Sequence, residues 1–227
     1  MKIKNKLIHT YKKYKHGLIL VYFFIYMIWF TYLERTVTTD FTPIHSTLDK
    51  YIPFMEIFII PYALWFLYIF ITVAYFFLTS KQDFYKCCAF LFIGMTICLI
   101  IYTIWPNGHY LRVNLNTLGR NNIFIDIIRR LYKLDTATNV FPSIHVYNSI
   151  GAMIAIRKSE SLRNIKWLQI STFILTVLIC MSTVFLKQHS VLDIFGGIIL
   201  SIIMYAFIYL PDRHRVLKEA DSKLSNV

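Results

Sequence analysis

Apolar residues in this chain gather in long runs, and the runs are bounded by lysines, arginines and turn-forming residues. A helix rises about 1.5 Å per residue, so roughly 20 such residues cross the hydrocarbon of a bilayer. The runs predict six spans, at about 17–33, 54–79, 87–106, 138–156, 167–186 and 190–210. The fourth is interrupted by His145, Tyr147, Asn148 and Ser149. Polar groups at that depth face a bundle interior or a wet cavity and often mark a site. The longest external segment between spans, about 107–137, opens with a turn signal at Pro106-Asn107-Gly108. Within it, residues 123–134 place Ile123, Phe124, Ile127, Ile128, Leu131 and Leu134 at helical spacing beside Arg129, Arg130 and Lys133. A basic amphipathic helix of this kind lies in the membrane interface, either as a brace or with its arginines gathering anionic headgroups.

Composition agrees with that pattern. Of 227 residues, 57% are hydrophobic, 17% aromatic and 16% charged, more apolar surface than a soluble domain needs. No internal repeat, low-complexity tract or Gly/Ser linker divides the chain. Residues 1–227 therefore read as one all-α membrane domain, six transmembrane helices in a single bundle, with a basic N-terminal segment at 1–16 and a tail at 211–227. The first apolar run is too long for a removed signal peptide and no small-residue cleavage site follows it, so an uncleaved anchor is expected. Cys87, Cys88, Cys98 and Cys180 all fall inside expected spans and read as small apolar residues, not as a disulfide framework.

Charge supplies the orientation. With the N-terminus inside, sixteen Lys and Arg lie on the cytoplasmic side, six of them lysines within the first 16 residues, against eight outside. The positive-inside rule then predicts that both termini are cytoplasmic. The net charge of +12 is mostly topological, since it flanks spans where it contacts anionic lipid heads. No basic groove or motif accompanies it, so membrane lipids and not nucleic acid are the expected partners.

Two stretches carry chemistry. Phe141-Pro142-Ser143-Ile144-His145-Val146 opens the fourth span, and Ser182 to Asp193 joins the fifth to the sixth. If helical, His189 and Asp193 share one face, because residues i and i+4 stack. A carboxylate there fixes the imidazole tautomer and leaves the other ring nitrogen as a nucleophile. Two histidines and an aspartate converging at the external surface point to phosphoryl chemistry. A helix starting at Pro142 offers its N-terminus to an anion, and Asn139 and Asp135 are candidate caps for it. Gly196-Gly197 reads as close helix packing. No paired carboxylates or His/Cys ligand set stand near these residues, so no metal or cofactor is expected.

Together these motifs resemble the type 2 phosphatidic acid phosphatase superfamily, the membrane relatives of bacterial acid phosphatases and vanadium haloperoxidases. That family carries Lys-x6-Arg-Pro, Pro-Ser-Gly-His and Ser-Arg-x5-His-x3-Asp on a six-helix membrane core. Here the second motif reads Pro142-Ser143-Ile144-His145, and the third keeps its spacing as Ser182-Thr183, His189 and Asp193. The first is degenerate: Arg112 takes the arginine position, Val113 follows it, and Trp105 stands where the lysine would be. Thr183 replaces the third motif's arginine. The resemblance covers roughly residues 50–210.

The resemblance implies that His189 attacks phosphorus and becomes a phosphohistidine while Asp193 orients its ring. His145 protonates the leaving alkoxide and later activates the incoming water or alcohol. Ser143 and Arg112 hold phosphate oxygens, with Ser182 and Lys187 as further phosphate-binding candidates, and no metal takes part. The phenylalanine before Pro142, the missing glycine and the missing arginine resemble the inositol phosphorylceramide synthase branch, which moves a phosphorylated headgroup to an alcohol. The expected activity is a cell-membrane phosphatase hydrolysing a lipid phosphate monoester or diphosphate at the extracytoplasmic face. A lipid phosphotransferase is the alternative.

Overall fold

The structure, a computed structural model, describes residues 14–211. The basic segment expected at 1–16, with Lys2, Lys4, Lys6, Lys12 and Lys13, and the tail expected at 211–227 lie almost wholly outside the described residues. A 3-10 turn over Lys15–Val21 leads into α1 (Tyr22–Thr36). There follow α2 (Ile59–Thr79), α3 (Lys81–Ile104), α4 (Ile123–Leu134), α5 (Ile144–Lys158), α6 (Lys166–Phe185) and α7 (Val191–Ile208). Among the described residues, five helical stretches are long and apolar enough to cross a membrane: Lys15–Thr36, Glu56–Thr79, Lys81–Ile104, Lys166–Phe185 and Val191–Ile208. These coincide with five of the six expected spans.

The remaining one differs. Where a span over 138–156 was expected, residues 135–143 are irregular and α5 has only 15 residues, about 22 Å of helix against a hydrocarbon core of about 30 Å. Yet α5 is the centre of the bundle, packed against α2, α3, α6 and α7. Its own sequence explains this: Gly151, Ala152 and Ala155 keep the surface small so that neighbouring helices approach closely. On α3, Gly94 makes room for Tyr147, whose ring lies 2.0 Å from where a Cβ would stand. On α7, a Cβ at Gly196 would meet the Phe141 ring at 2.7 Å, and one at Gly197 the Ser143 carbonyl at 3.0 Å. The glycine pair is thus a notch that receives the start of α5.

Irregular backbone at that depth has to be satisfied by protein. Asn107 does much of this: its Oδ1 accepts the Val140 and Phe141 N–H groups at 3.0 and 2.8 Å, and its carbonyl accepts that of Asn139 at 2.6 Å. Pro106-Asn107-Gly108 is consequently not a simple turn. A short strand β1 (Thr42–Pro43) pairs in parallel with β2 (Asn107–Gly108), a small addition that an all-α pattern gives no sign of. Gly108 is required there, since a Cβ would sit 2.7 Å from the Ala137 carbonyl.

The amphipathic helix α4 occupies the residues expected, with Asn122 Oδ1 accepting the Ile125 N–H at 3.1 Å as its cap. Its inner face is set by Ile125 and Ile128, which pack on Ile59, Tyr62, Leu115 and Leu186. Ile123, Ile127 and Leu134 are exposed. Arg129 is paired with Asp126 along the helix. The four cysteines are free thiols.

The Gly94–Tyr147 contact makes a test of the bundle. Gly94→Ala forces the ring of Tyr147 against its neighbours, and overpacking of this kind costs typically about 1–3 kcal/mol or more. Thermal unfolding in detergent should show the loss, and Tyr147→Leu in the same chain should restore part of it.

Candidate active site

The third motif is shaped by how α6 ends. Its last carbonyls need partners, and Thr183 O accepts both the Gln188 and His189 N–H groups at 2.9 and 3.0 Å. Lys187 takes a left-handed backbone, φ 55°, to make that return possible. Ser190 then caps α7 in a capping box with Asp193. His189 therefore precedes the helix and is not part of it. The contact foreseen from i,i+4 stacking forms by another route: Asp193 reaches back from the third helical position. One oxygen, Oδ2, accepts the Ser190 N–H at 2.8 Å and lies 3.2 Å from His189 Nδ1. Oδ2 already accepts the Ser190 N–H and so acts as an acceptor toward the ring as well, which places the imidazole proton on Nδ1 and leaves the lone pair on Nε2. Burial pushes the His189 imidazole down to about 3, the Val140 carbonyl beside it opposes this, and the Arg112 charge adds to it. At neutral pH the ring is uncharged.

The second motif meets the third at the same level. Ser143 caps α5, its Oγ accepting the Val146 N–H at 3.4 Å, while its own N–H donates to the Asp193 carbonyl at 3.1 Å. Pro142 thus lies before the cap and not in the first turn, and its carbonyl accepts the Tyr102 hydroxyl at 2.6 Å. His145, in the first turn of α5, is held between the rings of Tyr62 and Trp65, at 4.7 and 4.4 Å between centroids. Its ring centre is 5.7 Å from that of His189. Both histidines line one small cavity of about 30 Å³, together with Tyr102, Asp135, Asn139 and Gln188.

The remaining predicted site residues are placed less directly. Arg112 gives its guanidinium to the carbonyls of Tyr132, Asp135 and Thr136 at 2.6–2.9 Å and to Gln188 Oε1 at 2.6 Å. It also lies 4.5 Å above the Tyr132 ring. Lys187 is turned onto the loop between α1 and α2, its Nζ donating to the Asp49 and Ile52 carbonyls at 2.8 and 2.6 Å. Ser182 is buried, and its hydroxyl donates within its own helix to Ile179 O at 2.6 Å. Asn139 and Asp135 do not cap α5. Asn139 Nδ2 donates to Glu34 Oε1 at 2.9 Å, and Asp135 Oδ2 accepts from Tyr62 and Gln188 at 3.0 and 3.1 Å. Burial, and then the nearby Glu34 charge, push the Asp135 carboxyl up to about 6 against the opposing pull of Arg112.

Four residues that sequence reading passed over organise this site. Asp49 Oδ2 accepts the Ser190 hydroxyl at 2.7 Å and Oδ1 the Val191 N–H at 2.8 Å, so the loop between α1 and α2 clamps the start of α7. The capping box Ser46-x-x-Asp49 was a readable signal for it. Gln188 had only its adjacency to His189. Glu34 and His109 carried no local signal. His109 accepts the Leu111 N–H on Nδ1 at 3.1 Å, which leaves Nε2–H to donate to the Gln188 carbonyl at 2.7 Å. Among the described residues, no three His, Cys, Asp or Glu side chains form a metal-binding group.

Residues 122–215 match the family model of the PAP2 superfamily. The match covers the segment holding both histidine motifs, agrees with the resemblance drawn from those motifs, and points to phosphatase- or phosphotransferase-type chemistry on phosphate esters. No curated protein and no solved structure matches the chain.

His109 gives a pH test of this architecture. Burial pushes it down to about 4 from its ordinary 6.5, with the Gln188 carbonyl opposing. In the unfolded chain the same ring takes up a proton near 6.5, so stability from keeping it neutral is complete above that value and is lost as pH falls toward about 4. His109→Gln removes this contribution. Thermal unfolding across that window should fall less steeply in the variant, by about 1.4 kcal/mol per pH unit. Equal slopes would mean that the folded protein protonates His109 freely.

Proposed function

We propose that the protein is an integral membrane phosphatase that hydrolyses a lipid phosphate monoester or diphosphate through a phosphohistidine on His189. The observation that carries the reading is the convergence of His145 and His189 on one cavity, with Asp193 on His189 Nδ1. His189 Nε2 attacks phosphorus, and Asp193 orients the ring and balances the charge that develops on it. His145 gives a proton to the departing alkoxide and then takes one from water. The N-termini of α5 and α7, opened by Ser143 and Ser190, aim backbone N–H groups and positive dipole ends at the site. Arg112 bonds to neutral carbonyls, so its charge is not cancelled and acts on the phosphate as a field, with Gln188 carrying its geometry to the His189 loop. Ser143 serves the anion through its helix start. Ser182 and Lys187 support the reading as braces of the motif, given where their polar atoms point.

Five membrane-capable helices with α5 held among them are compatible with a six-helix bundle whose central helix stops short. Both termini are then cytoplasmic and the site opens at the extracytoplasmic face of the cell membrane, in keeping with the distribution of lysine and arginine. One observation favours a second reading, transfer of a phospho-headgroup to an alcohol. Arg112 is already engaged, and Trp105 and Thr183 stand where the family carries cations, so the site is less cationic than a site for a phosphate monoester dianion would be.

Phosphate release from phosphatidic acid, phosphatidylglycerol phosphate and polyprenyl diphosphate, measured in detergent with EDTA, tests the proposal. Release should persist in EDTA, be inhibited by vanadate, and fall roughly 10³-fold or more in His189→Ala. His145→Ala should cost about 10²–10⁴-fold on the lipid but much less on an aryl phosphate, whose leaving group needs no proton. Undiminished release by His189→Ala overturns the proposal. Absence of release, with headgroup transfer to an added alcohol, selects the second reading.

A further inference from the structure

We propose that Asn139 holds the hydrolytic water, so that the site is built for hydrolysis in preference to transfer to a simple alcohol. The inference rests on the phosphohistidine reading above. Asn139 adopts a left-handed backbone, φ 57°, which non-glycine residues seldom take and which concentrates at functional positions. Its N–H donates to the Asn107 carbonyl, and its Nδ2 donates to Glu34 Oε1. Glu34 is itself fixed by the N–H and hydroxyl of Thr136, at 2.9 and 2.6 Å on Oε2. These bonds settle which end of the carboxamide is the oxygen. Asn139 is only 5% exposed, and its Oδ1 has no partner among the described residues. It lines the same cavity as His145 and His189.

A carboxamide oxygen accepts hydrogen bonds and cannot donate them, so Oδ1 repels an ionised phosphate oxygen and binds an O–H. A water molecule needs about 10–15 Å³ of cavity space, so the cavity of about 30 Å³ admits one beside Asn139. In the second half-reaction the water oxygen forms its bond to phosphorus as the N–P bond of phosphohistidine breaks. The electron pair of that bond returns to His189 Nε2. One proton of the water passes to His145, which gave up its own to the leaving alkoxide in the first half-reaction. The other proton stays on the oxygen, where Asn139 Oδ1 accepts it as a hydrogen bond. An alcohol with one hydroxyl surrenders its single proton to His145 and has none left for Asn139. A buried acceptor is then unpaired, which is costly. Asn139 thereby selects water.

The full chain in detergent, given dioctanoyl phosphatidic acid with methanol as competing acceptor, reports this directly as the ratio of inorganic phosphate to methyl phosphate, read by phosphorus NMR. That ratio does not depend on how much active protein is present. Asn139→Gly tolerates the left-handed backbone and removes the acceptor, and should shift the ratio about tenfold toward methyl phosphate, the size of one lost hydrogen bond. Asn139→Ala is a second deletion of the same acceptor, expected to shift the ratio alike should the glycine variant not fold. Asn139→Asp, made together with Glu34→Gln so that the new amide donates to the carboxylate that replaces the Asn139 donor, keeps an accepting oxygen and should stay within about threefold of the original ratio. An unchanged ratio in the deletions, or an equal shift in the aspartate variant, overturns the assignment of Asn139 alone. If the unaltered protein releases no phosphate, the phosphohistidine reading fails and this inference with it.

Discussion

A single carboxylate oxygen, Asp193 Oδ2, receives both the N–H that opens α7 and the ring of His189. The mouth of the bundle is organised around that sharing. A helix start in an apolar surround leaves N–H groups that must find acceptors, and leaving one buried and unpaired costs about 1–3 kcal/mol. The acceptor that satisfies the helix also fixes the histidine. The Asp193 carbonyl takes the Ser143 N–H, so the starts of α5 and α7 are bonded to one another. Asp49 holds Ser190 and Val191 from the loop between α1 and α2. Capping and positioning are done by the same atoms.

Electrostatics at this mouth are balanced, not dominated by cations. Arg112 is buried among carbonyls, which satisfy its N–H groups while leaving its charge in place. Glu34 and Asp135 bring carboxylates close to the same loop, and burial together with the Glu34 charge keeps Asp135 near the neutral form at mildly acid pH. His189 is neutral for the same reason of burial. A neutral imidazole with one nitrogen tied and one open is the form a nucleophile requires. Positive potential comes from two helix starts and one arginine, a smaller supply than the family motifs would give.

Packing decides how the histidines meet. α5 is short and carries small residues, so four helices close around it and His145 enters a slot between Tyr62 and Trp65. The notch at Gly196-Gly197 brings Phe141 and Ser143 against α7. Small residues on facing helices allow that approach where no hydrophobic drive between lipid-exposed helices exists.

The sequence by itself determined the apolar helices, the amphipathic α4 to the residue, the packing role of the glycine pair, and the histidine motifs, because hydrophobic period and fixed spacing are local properties of the chain. It also carried the resemblance to the superfamily whose model matches residues 122–215. Only the tertiary structure decided that the fourth apolar stretch begins as buried irregular backbone, because Asn107 and the short β pair, far away in sequence, satisfy its polar groups. Only the fold turned Lys187 toward Asp49 and gave Arg112 to carbonyls near residues 132–136. It also drew Glu34, His109 and Asn139 into the site. None of these carries a local pattern. Which partner a buried polar group finds depends on which distant segments arrive beside it, and that is settled by packing and not by sequence spacing.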